Sequence, residues 1–108
     1  MASFNDREKA FEAKYKNDQE LQFKAMSRRN KLLGLWAAQQ FGLEAAAADA
    51  YAKEVVISDF EKPGDDDVVE KVLADFQERG VEMSEHRLRK QMEELLSTAL
   101  AQLQAEAG

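Results

Sequence analysis

Few residues in this chain are equipped for chemistry, and their spacing narrows the choice further. His86 is the single histidine, set beside Arg87 and Arg89, and there is no cysteine. One imidazole with no thiolate and no second histidine makes a poor metal site, and neighbouring positive charge at a helix start disfavours the imidazolium. Asp65, Asp66 and Asp67 suggest a cation loop. Calcium loops, however, space their ligands at alternating positions around a glycine, whereas consecutive acids point apart, so helix capping is the expected role. None of Ser3, Ser27, Ser58, Ser84 and Ser97 lies in a G-x-S-x-G turn, and the glycines fit no phosphate-binding pattern. No catalytic residue, no resident metal and no cofactor are expected.

The basic cluster Lys24, Arg28, Arg29 and Lys31 remains open. Lys24, Arg28 and Lys31 fall at i, i+4 and i+7, one helix face, where they can meet phosphate or an acidic partner. A solvated face opposite acidic helices is the plainer reading. The surrounding charge is uneven. Residues 1–42 carry eight basic and five acidic groups, a net of +3, while residues 43–108 carry seven and sixteen, a net of −9. The total of −6 argues against a general nucleic-acid binder, and the asymmetry hints at an interaction arm on an acidic body. With 108 residues there is room for one domain. No apolar run approaches the ~18 residues of a membrane span, so a soluble cytoplasmic protein is expected.

The elements that must position these groups read as helices throughout. One proline and five glycines punctuate a chain otherwise rich in helix formers, and strand-like alternation is nowhere sustained. Helices are expected at about 18–41, 44–61, 66–78 and 85–105, joined by short loops into an all-α, small four-helix bundle. In the last helix Leu88, Met92, Leu95, Leu96, Ala99 and Leu103 share one face, with Ser84 as N-cap and a Met83–Leu88 staple. In the third the face is Val69, Val72, Leu73 and Phe76, with Gly80 just past the end. Ala48, Tyr51, Ala52, Val55 and Phe60 line the second, and Leu21, Met26, Leu32, Leu33, Leu35, Trp36 and Phe41 the first. Gly34 either admits a neighbouring helix closely or acts as a hinge.

Residues 1–16 differ from the rest. Their large apolar groups, Phe4, Phe11 and Tyr15, form a thin stripe among charges. Asn17 with Glu20 repeats the capping-box pattern of Asn5 with Glu8, offering a helix restart that separates an N-terminal arm (1–16) from the bundle (17–108). Ordering the arm costs roughly 1–2 kcal/mol per residue, more than three aromatics at about 1.5–3 kcal/mol each can offset. The arm is therefore expected to be mobile, frayed or disordered when free and helical against a partner. The alternative is that its aromatics dock on the bundle as a fifth segment.

Four segments, FNDREKAFEAKY (4–15), ELQFKAMSRRNKLLGLWAA (20–38), AYAKEVVISDFEKPGDDDV (50–68) and MEELL (92–96), resemble the α-proteobacterial ATPase-inhibitor ζ-subunit family. The resemblance covers essentially the whole chain. It implies an inhibitor, not an enzyme, that blocks ATP hydrolysis by F1-ATPase, with the arm entering an α/β catalytic interface and reaching toward the γ subunit. It carries the inhibitory role onto Phe4, Asn5, Arg7, Glu8, Lys9, Phe11, Lys14 and Tyr15. The expected partners are the F1 α, β and γ subunits, at the cytoplasmic face of the inner membrane, with the free protein a monomer. Glu44 stands where the family leads one to expect a Ser/Thr-like cap. The alternative function is a nucleotide- or small-ligand-sensing bundle using the basic face of residues 24–31.

Overall fold

The computed structural model describes the backbone of residues 4–59 and 65–107 and the side chains of 19–59 and 65–106. Among the described residues there are four helices and no strand: α1 (Phe4–Gln40), α2 (Ala45–Ser58), α3 (Asp66–Glu78) and α4 (Glu85–Ala107). The chain is an all-α four-helix bundle in which α1 touches each of the other three helices.

Helix α1 runs without interruption for 37 residues, about 55 Å at 1.5 Å per residue. The break expected at Asn17 is absent, and the reason is cooperative. Asn17 and Asp18 each cost a helix interior only ~0.7 kcal/mol. Restarting demands a new nucleus, and no glycine or proline separates Phe4 from Leu33. Among the described side chains of α1 the first buried one is Ala25, after exposed Gln19, Glu20, Gln22, Phe23 and Lys24.

Local chemistry sets the other boundaries. Both α1 and α3 end in a Schellman motif. Gly42 (φ 78°) donates to the Gln39 carbonyl and Leu43 to that of Ala38, while Gly80 (φ 70°) donates to Gln77 and Val81 to Phe76. The Ser84 hydroxyl accepts from the Arg87 amide at 3.1 Å, the expected cap of α4. Glu44 precedes α2 without a side-chain cap. Helix α2 ends at Ser58 with Asp59 as its C-cap, earlier than expected, and Phe60 lies outside the described residues.

The core gathers Leu33, Ala37 and Ala38 of α1, Tyr51 and Val55 of α2, Val68, Val69, Val72 and Phe76 of α3, and Leu88 and Met92 of α4. Phe76 sits at its aromatic centre, with ring centroids 4.7 Å from Phe41 and 5.9 Å from Trp36. Leu73, Leu95, Leu96 and Leu103 are only half-buried, placing them at the edge of their helix faces. Gly34 is a contact point. A Cβ built there would lie 2.5 Å from the Ala52 Cα, so the backbones of α1 and α2 approach too closely for any side chain.

The acidic start of α3 does more than favour the helix dipole. Asp65, the N-cap, makes no side-chain cap bond; its carboxylate instead receives the Arg29 guanidinium of α1 at 2.9 Å. Asp66 receives Arg89 of α4 at 2.8 Å. The expected capping side chains are thus ion-pair partners that tie α3 to two neighbours.

Candidate functional site

The basic cluster of α1 divides by helical phase. Arg29 turns inward and is 2% exposed, donating to Asn30 Oδ1 and Asp65 Oδ1. It therefore does not share a face with the other three and cannot meet an external phosphate. Its burial is compensated by a carboxylate and an amide oxygen, as a guanidinium out of water requires. Sequence spacing could not reveal this, because the partner lies 36 residues away in another helix.

Lys24, Arg28 and Lys31 do share the outer face. Arg28 forms a two-pronged pair with Glu106 near the end of α4, at 2.9 and 3.0 Å, and also donates to Gln102 at 3.0 Å. The hydrogen bond holds the Glu106 carboxyl below the usual carboxylate range and raises the Arg28 guanidinium above its own. Lys24 and Lys31 are exposed and join no ion pair among the described residues.

Two adjoining depressions open on this face. One, of about 510 Å³, lies between α1 and α2 and is lined by Lys31, Lys53, Val56 and Ile57, among others. The other, of about 550 Å³, lies where α1 meets Val56 of α2 and Leu103 of α4, and includes Phe23, Lys24 and Arg28. Lys31 and Val56 line both, so the two adjoin, and together they are called the groove. Phe23 (65% exposed) and Ile57 (59% exposed) are the large apolar side chains left open to water among the described residues. The sequence did carry a signal for Ile57. In the run Val55-Val56-Ile57, steps of about 100° cannot turn all three side chains inward.

The expected inhibitory residues Phe4, Asn5, Arg7, Glu8, Lys9, Phe11, Lys14 and Tyr15 belong to α1 by backbone, and their side chains lie outside the described residues. His86 is exposed in the first turn of α4. Tyr51 is the one resolved group pushed far from its ordinary value. Burial raises its phenol first, and hydrogen bonding to Asp75 Oδ2 at 2.7 Å, with the charges of Asp75 and Glu54, adds to that. This pair joins α2 to α3 and is structural.

A bundle with a groove and an extended first helix is equipped to act by contact with another macromolecule. The chain belongs to the family of the ATPase inhibitor subunit zeta, whose model matches residues 1–102. It is thus a regulatory subunit rather than an enzyme. A protein structure solved in solution by NMR is 46% identical, covering 80% of this chain and 98% of its own, with a TM-score of 0.71. No curated protein matches. Among the described residues no helix is long and apolar enough to cross a membrane.

Proposed function

We propose that the chain inhibits ATP hydrolysis by F1-ATPase through its N-terminal segment, residues 1–16. The segment enters an α/β catalytic interface as a helix and stops rotation against the γ subunit. The observation that carries this reading is the reach of the family match, which starts at residue 1 and so includes the segment ahead of the bundle. The core formed among the described residues draws on all four helices and supports a bundle that holds together behind the segment. Sixteen helical residues would span ~24 Å, enough to penetrate between subunits. Phe4, Phe11 and Tyr15 serve as buried anchors, and Asn5, Arg7, Glu8, Lys9 and Lys14 orient the helix. The action takes place at the cytoplasmic face of the inner membrane, where the bundle stays outside the interface.

The test is a titration of purified F1-ATPase with the full chain and with a chain lacking residues 1–16. The full chain should suppress hydrolysis in a saturable way, and the truncated chain should leave it at the uninhibited rate. Equal inhibition by both would show that the segment is not the inhibitory element.

A further inference from the structure

We infer that the groove between α1, α2 and α4 docks an acidic amphipathic helix of the ATPase that this protein inhibits, a second contact separate from the N-terminal segment. The inference rests on the inhibitor reading above. Two observations point to one occupant.

The first is the apolar floor. Phe23 and Ile57, the large apolar side chains exposed among the described residues at 65% and 59%, line one each of the two adjoining depressions, with Val56 in both and Leu103 beside Phe23's. Clustered exposed apolar groups mark a contact surface far better than scattered ones. An apolar floor also favours a protein helix over a nucleic acid, whose backbone would face it with charge.

The second is the rim. Lys24, Lys31 and Lys53 line the two depressions without an ion pair among the described residues; with Arg28 they outnumber the lining carboxylates Asp49 and Glu106, the latter already paired with Arg28, on a chain of net charge −6. Cations collected at one apolar groove of an acidic molecule select an acidic partner and speed its encounter. Helix-in-groove recognition reads such a partner through apolar anchors at i, i+3/i+4 and i+7, with charges along the flank.

The test uses the full-length chain and purified F1-ATPase. A groove variant, Lys31→Glu/Lys53→Glu/Ile57→Ser, should raise the half-inhibitory concentration at least tenfold. Maximal inhibition at saturation, and the helical spectrum and melting temperature of the free protein, should stay unchanged. In parallel, Ile57→p-benzoylphenylalanine should photo-cross-link to an acidic helical segment of one F1 subunit, located by mass spectrometry. Wild-type potency in the groove variant overturns the inference. So does a cross-link to a basic segment, to a second copy, or to residues 1–16 of the same chain. Loss of the melting transition in the triple variant would transfer the potency measurement to Lys31→Glu alone, an exposed position, with at least a threefold rise expected. Should the wild-type chain bind F1 and cross-link from position 57 yet fail to inhibit, the inhibitor reading falls and the groove contact stands. Failure of the wild-type chain to bind F1 overturns both.

Discussion

Gly34 shows how one missing methyl group sets the distance between two helices. In an isolated helix Gly34→Ala would gain about 1 kcal/mol from propensity. Here the added Cβ would stand 2.5 Å from the Ala52 Cα and 3.1 Å from its Cβ, and a backbone atom cannot swing aside. Overpacking of this kind costs typically about 1–3 kcal/mol, so the clash outweighs the propensity gain. Gly34→Ala should lower stability by about 1 kcal/mol and Gly34→Val by more, measured by urea unfolding. A stabilised Gly34→Ala would mean that α1 and α2 separate freely. Arg29 poses the complementary case of a charge that must keep its partner. Asp65→Ala leaves a guanidinium at 2% exposure with only the Asn30 oxygen, and should cost about 3 kcal/mol. Asp65→Asn keeps an acceptor while removing the charge, and should lose about half as much by the same measurement.

At the scale of the element, α3 is tied to α1 and α4 at its start and to α2 by the Lys71–Glu54 ion pair at 3.9 Å and a hydrogen bond. The hydrogen bond is that of the Tyr51 hydroxyl, which donates to Asp75 beside Lys71. Its raised phenol titration means that the folded state favours the protonated form. That contribution is fully present below the unfolded value of about 10 and is lost as pH climbs above it. Wild-type melting temperature should therefore fall more steeply above about pH 10 than that of Tyr51→Phe, which should itself be weaker near neutrality by about 1 kcal/mol. Parallel slopes would remove Tyr51 as the source. At the far end, Gly80 holds φ 70° with open space where a Cβ would be, so Gly80→Ala meets conformational strain alone. About 1 kcal/mol of lost stability is expected. Gly80 and Ser84 were legible in the sequence because caps and turns depend on residues a few positions apart. The apolar faces of α3 and α4 were legible for the same reason, since periodicity is local. The continuity of α1 through Asn17 was not, because a capping box states what a helix start would gain and is silent on the nucleation cost of stopping. Nor was the burial of Arg29 against Asp65, or the exchange of capping for ion pairing at Asp65 and Asp66. Those depend on which helix lies opposite, and that is a property of the assembled bundle. The groove was half legible. Lys24, Arg28 and Lys31 could be found by spacing and Ile57 by the crowding of the Val55-Val56-Ile57 run, but the exposure of Phe23 is assigned only by the fold.

For the whole molecule the proposed division between the bundle and the segment ahead of it has a thermodynamic consequence. Every buried apolar residue among those described lies between Ala25 and Ala99, and the ion pairs that close the bundle join residues from Arg28 onward. The cooperative transition should thus belong to the bundle alone. A chain beginning at Asn17 keeps this entire core and every one of those pairs. Its melting temperature should match that of the full chain to within about 3 °C, since even 1 kcal/mol would shift a domain of this size by about 4–8 °C. The denaturant slope should be equally unaffected, because it scales with the surface exposed on unfolding and that surface is bundle surface. A drop of 10 °C or more on truncation would instead mean that Phe4, Phe11 and Tyr15 pack on the bundle as a fifth segment. An inhibitory segment seated in that way would have to be released before it could act, at an energetic cost equal to the stability lost on its removal.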